Sequence, residues 1–239
     1  MLDHISPENL LFLDIETVPQ TATHDEMGDA EKNLWAKKAG FLIKDNENPE
    51  DIFQRSGIYA EFGKIICISV GHLHVQDGKP GARIKSFYGD DEAKLLMDLK
   101  QMLTKYSKVR DFSLCAHNGK EFDFPYIARR MLINSIVLPS EFDIAGKKPW
   151  EIKHIDTMEL WKFGDFKNYT SLELLCNVFK IPTPKDDIDG SQVAAVYYED
   201  KDLARIVKYC ERDVISIIQL MLKFKCRDVI PQEDIEVIG

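Results

Sequence analysis

The chain is expected to fold as an α/β protein around a single core, and three features of the sequence lead there. Short apolar segments of strand character recur along its 239 residues. Between them lie stretches whose apolar residues repeat at helical spacing, the alternation that builds a sheet covered by helices. A hydrophobic content of 44% in a chain of this length is enough to bury one substantial core.

The first strand is read at Leu10-Leu11-Phe12-Leu13-Asp14-Ile15-Glu16-Thr17. Val18-Pro19 closes it, because proline cannot continue a central ladder. Residues 20–57 are mostly polar and read as an insertion between core strands. Within it, Asp25 to Ala39 predicts a helix ending at Gly40, Asp45 to Pro49 predicts a loop, and Trp35 is the residue that packs the insertion down. Lys64 to His74 and Arg83 to Tyr88 are the next two strands, and the glycine-containing turn from Gln76 to Gly81 makes them an antiparallel hairpin.

Asp90 or Asp91 caps a helix carrying Leu95, Leu96, Leu99, Met102 and Leu103 at helical spacing. Phe112 to Ala116 is a fourth strand. After the turn His117-Asn118-Gly119, proline at position 125 favours a helix start that runs to Leu132. His154 to Thr157 predicts a fifth strand, with helical pattern following through Trp161. Thr170 and Glu173 have capping-box spacing for a helix through Phe179, which Ile181-Pro182-Thr183-Pro184 stops. A short helix near Ser191 to Tyr198 precedes the last one, Asp200 to Lys225. On that helix Leu203, Ile206, Val207, Cys210, Val214, Ile217, Ile218 and Met221 fall on one stripe, with Arg205, Lys208 and Arg212 opposite. Residues 227–239 read as a surface extension.

The formal net charge of −9 argues against broad non-specific binding to nucleic acid, which needs a basic surface. It leaves room for a nuclease, since bound metal ions offset an acidic cleft locally. The five cysteines, at 67, 115, 176, 210 and 226, never form a C-x-x-C pair and are expected as small core residues of a reducing compartment. No apolar run approaches the ~20 residues that span a bilayer. Met1 to His4 have neither the basic region nor the apolar core of a leader, so a cytoplasmic protein without membrane contact is expected.

Asp14 and Glu16 are the unusual residues of the first strand. Side chains two apart on a strand share a face, so two like charges stand side by side among apolar neighbours. A hard divalent cation between them explains the pair. From this stretch alone, an edge strand with one solvated face explains it equally well. Asp123 lies at or beside a helix N-terminus, where an acidic residue complementing the helix dipole is the commoner role. Tyr209 and Asp213, at i and i+4, stack on a flank of the last helix's apolar stripe. Taken alone they fit a half-packed tyrosine and a surface aspartate.

Three segments together carry a family resemblance: Phe12-Leu13-Asp14-Ile15-Glu16-Thr17, then His117-Asn118-Gly119-Lys120-Glu121-Phe122-Asp123-Phe124-Pro125, then Tyr209-Cys210-Glu211-Arg212-Asp213. In this order they resemble the DEDD superfamily of 3′–5′ exonucleases, close to stand-alone relatives of the proofreading domain of B-family DNA polymerases. The resemblance spans residues 10–224. The histidine variant of the superfamily carries His five residues before its last Asp, where this chain has Lys208, whereas Tyr209 fits the tyrosine variant.

The resemblance implies a ribonuclease-H-like fold, a central mixed five-stranded sheet with helices on both faces, as one exonuclease domain over residues 1–239. It implies that Asp14 bridges two divalent ions, Mg²⁺ or Mn²⁺, that Glu16 and Asp213 complete one site, and that Asp123 holds the other. Four converging carboxylates need about two such ions to relieve their repulsion. Tyr209, with an ordinary pKa near ~10, is expected to orient the attacking water and not to deprotonate it. Asn118 and Phe122 are expected against the terminal nucleotide, although Phe122 fits the core as well. His117 reads as a turn residue, and Asp156 and Thr157 as a strand end and helix cap. The expected activity is removal of nucleoside 5′-monophosphates from the 3′ end of single-stranded nucleic acid, DNA favoured over RNA. The alternative is a module of the same fold that binds 3′ ends without cutting them.

Overall fold

Residues Leu10–Pro19 form β1, and every residue of it except Asp14 and Thr17 is buried. In the computed structural model, which describes residues 2–44, 47–76, 78–108, 111–165, 167, 169–182 and 188–238, this strand lies inside the sheet. Asp45 and Asn46 of the expected loop, Asp77 of the expected turn and Thr183-Pro184 of the expected helix stop lie outside the described residues.

β1 runs antiparallel to β2 (Gly63–Gln76) and parallel to β4 (Ser113–Ala116). β2 turns back into β3 (Lys79–Tyr88), with Gln76 paired to Lys79 and Gly78 at φ 77°. That positive φ is glycine's natural territory. β5 is only Ile155–Asp156, shorter than expected, and pairs parallel with β4. The expected five strands become six. Ile235–Ile238 forms β6 and pairs parallel with β3 from Ala82 to Lys85, giving the order β5-β4-β1-β2-β3-β6. The chain beyond Arg227 is therefore not merely a surface extension. Its strand is short and half exposed, so it carries little apolar pattern of its own and is held by the ladder.

Helices cover both faces. α2 (Glu92–Tyr106) is capped by Asp91, whose carboxylate accepts the Lys94 N–H, and α3 spans Asp123–Ile133. Leu11, Leu13 and Ile15 of β1 pack against Leu95, Leu96, Leu99 and Leu103 of α2 and Phe124, Ile127 and Met131 of α3. The opposite face meets α7 (Leu203–Phe224), where Leu10 and Phe12 pack with Val214, Ile217, Ile218 and Met221. Each such side chain, fully buried, contributes roughly 1.5–3 kcal/mol. The predicted stripe on α7 is buried but for half-buried Leu203, while Arg205 and Arg212, expected in solvent, are half-buried.

A buried ion pair fastens α2 to α3. Arg130 donates from Nη2 to Glu92 Oε2 at 2.6 Å and from Nε to Oε1 at 2.9 Å, and its Nη1 reaches the Ala60 carbonyl at 2.8 Å. The Ile65 N–H and Asn134 Nδ2 satisfy the remaining carboxylate positions at 2.7 and 2.8 Å. Charges this deep are tolerated because each is paired and hydrogen-bonded.

The segment between β1 and β2, expected as an insertion, holds α1 (Asp29–Ala39), preceded by a single 3₁₀ turn at His24–Glu26 where the longer helix was expected to begin. Trp35 is fully buried, donates its Nε1–H to the Pro49 carbonyl at 2.8 Å, and packs with Met27, Ile52 and Phe53. The end of this segment lies on β1 itself: a Cβ on Gly57 would sit 2.9 Å from the Val18 carbonyl carbon. After β5 come α4 (Thr157–Lys162), α5 (Leu172–Val178) and the short α6 (Val193–Ala195), which runs on into a π-helical turn at Val196–Asp200. Ser171, and not Thr170, caps α5 by accepting the Leu174 N–H. Cys67, Cys115, Cys176 and Cys210 are buried as expected, whereas Cys226 is exposed.

Candidate functional site

Strand alternation points Asp14 and Glu16 toward α7, on the face that also carries Leu10 and Phe12. In the ladder with β2 they stand opposite Ser69 and Cys67, and the register shifts immediately after Glu16. A bulge there bends the strand just past the two carboxylates, a common way to re-aim side chains beside a site. Glu16 is 7% exposed and Asp14 is half-buried. Glu16 accepts no hydrogen bond among the described residues.

α7 brings its contribution from the far end of the sequence. Tyr209 and Asp213 sit one turn apart on it, both half-buried, and Tyr209 packs with Val18, Ile66 and Ile206. Between them Cys210 is fully buried, its Sγ 3.4 Å from both the carbonyl oxygen and Oδ2 of Asp14. One ligand atom each from Asp14, Glu16 and Cys210 lie within 4.8 Å of one another. Asp123, 3% exposed, is the first residue of α3, two positions before the proline that was expected to open that helix.

The four carboxylates act on one another. Burial pushes Asp14 well above its ordinary value, and the charges of Asp213, Asp123 and Glu16 push it further, against a hydrogen bond from Cys210. Burial also raises Glu16 strongly, with Asp213, Cys67 and Asp123 adding to it. Asp123 is pushed up to about 7, first by burial and then by Asp156 and Asp213, while the backbone N–H groups of Asp123 and Ile15 hold it down. Carboxylates from three distant stretches of the sequence, at 14 and 16, at 123 and at 213, thus lie within reach of one another's charge, and burial disfavours the charged form of the first three. Oxygen donors in such a group could hold a divalent cation, and Glu16, which accepts no hydrogen bond among the described residues, is one of them.

The turn between β4 and α3 is fixed with unusual completeness. Asn118 has φ 63°, a left-handed backbone that asparagine tolerates better than most residues. A Cβ on Gly119 would lie 2.3 Å from the Ala116 Cβ, so only glycine fits. Asp156 holds this turn from β5. Its Oδ1 accepts the N–H groups of Asn118 and Met158 at 2.9 Å and of Glu159 at 3.3 Å, and its Oδ2 accepts the Lys120 N–H at 3.1 Å. In the sequence Asp156 shows only as a strand end and helix cap. Its hold on the turn that leads to Asp123 becomes visible only when β5 is placed beside β4.

His117 ties in the segment ahead of α5. Its Nε2 lies 2.9 Å from the Thr170 carbonyl, which can only accept, so the ring carries its proton there and Nδ1 accepts from the Thr157 hydroxyl at 2.8 Å. Burial lowers its pKa and favours this neutral form. The side-chain Oδ1 of Asn118 is buried without a partner among the described residues, in keeping with a group reserved for a ligand. Phe122 packs on the core beside Tyr126, ring centroids 5.4 Å apart, and is half-buried.

A family described as predicted 3′–5′ exonuclease related to the exonuclease domain of PolB matches residues 58–235. That stretch contains Asp123, Tyr209 and Asp213, while Asp14 and Glu16 precede it. Among solved structures, the family B DNA polymerase from the hyperthermophilic archaeon Pyrobaculum calidifontis is similar at 13% identity and a TM-score of 0.51, over 92% of this chain and 25% of the polymerase. The chain therefore spans about a quarter of that protein, and the likeness is one of fold. The RNase domain of the yeast Pop2 protein is similar at 10% identity and a TM-score of 0.37, over 96% of this chain and 81% of that one. No curated protein matches the chain by sequence. Among the described residues, no helix is long and apolar enough to cross a membrane.

Proposed function

From its membership of the family of predicted 3′–5′ exonucleases related to the PolB exonuclease domain, we propose that this chain is a metal-dependent 3′–5′ exonuclease of the tyrosine type. It takes single-stranded nucleic acid, DNA in preference to RNA, and releases nucleoside 5′-monophosphates. The observation that supports this reading is the convergence of Asp14, Glu16, Asp123 and Asp213, with the Asp213 charge raising the other three and Asp123 raising Asp14 and Glu16.

In this reading Asp14, Glu16, Asp123 and Asp213 would hold two divalent ions, Mg²⁺ or Mn²⁺. Bound there, such ions supply Lewis acidity, lower the pKa of water and offset charge on the phosphodiester. The protein's own work is positioning. The Tyr209 hydroxyl, one turn from Asp213, orients the attacking water as a hydrogen-bond partner. Asn118 offers its buried Oδ1 to the terminal nucleotide, and the ring of Phe122 backs the same turn. Asp156 and His117 keep that turn and the segment before α5 in place, so that the 3′ end meets a fixed frame.

A side-by-side digest tests this. Purified protein with Mg²⁺ or Mn²⁺ should shorten a 5′-labelled single-stranded DNA stepwise, with matched RNA cut more slowly and duplex ends least. Tight, metal-insensitive binding of the 3′ end with no shortening would instead favour a binding module of the same fold.

A further inference from the structure

The mechanism above has no use for Cys210, yet its sulfur stands where the carboxylates meet. The Sγ is 3.4 Å from Asp14 Oδ2, and donor atoms of Asp14, Glu16 and Cys210 fall within 4.8 Å of one another. The helix positions flanking it in the stripe are Val207 and Val214, so a buried apolar residue would satisfy the packing without a sulfur. A second observation, independent of the thiol, points into the same space. Glu16 is 7% exposed and accepts no hydrogen bond among the described residues, which leaves a buried carboxylate aimed at the cluster without a partner.

Two oxygens and one sulfur are a mixed donor set. Magnesium and calcium avoid sulfur, whereas zinc, cobalt and cadmium accept a thiolate with carboxylates and reach higher affinity through it. We propose that Asp14, Glu16 and Cys210 form a thiolate-containing site for a borderline or soft divalent cation, zinc foremost. It overlaps the ion site of the proposed exonuclease, so zinc displaces manganese or magnesium from it. The inference rests on that reading of Asp14 and Glu16 as ligands. Binding replaces the thiol proton by the cation, and the proton is released to solvent, so charge and atoms balance without any further reactant. Cys67 is the natural control. It packs against Cys210, hydrogen-bonds its thiol and adds to the charge around Glu16, yet it does not belong to the three-donor group, so it separates a neighbouring thiol from a ligating one.

The test uses the full chain freed of metal. Co²⁺ is titrated in and followed by absorption, where a cobalt–thiolate bond gives a near-ultraviolet charge-transfer band. Mn²⁺ binding is followed in parallel by electron paramagnetic resonance, which needs no thiol. The expected result is a thiolate band saturating with Co²⁺, Zn²⁺ abolishing it, and Zn²⁺ returning bound Mn²⁺ to solution. Cys210→Ser should remove the band and weaken zinc binding roughly tenfold or more, while Cys67→Ser keeps the band. Should Cys210→Ser fail to fold, X-ray absorption of the zinc-loaded unmodified chain decides, with a sulfur neighbour at about 2.3 Å expected. If Mn²⁺ binds but Co²⁺ gives no thiolate band, or zinc has no sulfur neighbour, the thiol inference falls and the carboxylate site stands. If neither Mn²⁺ nor Co²⁺ binds, both fall.

Discussion

Replacing Asp123 by asparagine should stabilise the metal-free protein, and increasingly so as the pH rises. The carboxyl is pushed from its ordinary 3.8 to about 7 by burial and by the neighbouring Asp156 and Asp213 charges. Between those two pH values the folded chain keeps a proton that the unfolded chain has released. Stability is therefore lost as the pH climbs through the window, and the loss is complete above about 7. Each pH unit across the gap is worth about 1.4 kcal/mol, so this one group costs about 4 kcal/mol at pH 8 and almost nothing near pH 4. Asparagine, which does not titrate, escapes that loss, and its side-chain oxygen still accepts the N–H bonds that reach position 123. For a domain of this size the difference is roughly 8–16 °C in Tm. Thermal unfolding of both proteins with a chelator, from pH 4 to pH 8, measures it. Saturating Mn²⁺ should then reverse the order at pH 8, because the carboxylate gains an ion that the amide binds poorly. A stability difference that does not change with pH, or a variant less stable than the parent at pH 8 without metal, would refute the reasoning.

Three further outcomes follow from other parts of the structure. Arg130→Leu leaves Glu92 buried at 8% exposure without its 2.6 Å partner, and should cost roughly 3–5 kcal/mol in urea unfolding; adding Glu92→Leu should recover part of that loss. Asp156→Ala removes the acceptor of four backbone N–H groups at residues 118, 120, 158 and 159. Exonuclease turnover should fall about 100-fold through misplacement of the turn, while Mn²⁺ affinity measured by paramagnetic resonance changes little. Tyr209→Phe keeps the ring packed against Val18 and Ile66 and should lower kcat by about 100-fold, with KM and metal binding near their parent values.

How far the sequence reaches depends on whether an element carries its own pattern. β1 is legible because two carboxylates interrupt a continuous apolar run, and α7 because its apolar residues repeat every 3.6 positions, which puts Tyr209 and Asp213 on one flank; the structure brings Asp14, Glu16 and Asp213 within reach of one another's charge. β4 pairs with β1 only from Leu10 to Phe12, so it is the burial of Glu16 beneath α7, and not the strand order, that speaks against a solvated edge at the acidic pair. Asp123 is harder to read, since proline at 125 suggests a later helix start than the one observed. β6 escapes notice because four half-exposed residues have no pattern strong enough to stand apart from a tail. Thr170 mimics a capping box, yet its carbonyl serves His117 while Ser171 caps the helix. Asp156 and Cys210 look like a cap and a core residue in one dimension. Their contacts with Asn118 and Asp14 span 38 and 196 residues of chain and show only in the folded protein.

The most direct test of the account is a metal-dependent digest of 5′-labelled single-stranded DNA by the parent chain and by Asp14→Ala, with folding of the variant verified by circular dichroism. A stepwise ladder in Mg²⁺ or Mn²⁺ is expected for the parent, none in chelator, and none for a folded Asp14→Ala. A ladder of equal strength from the variant would contradict it.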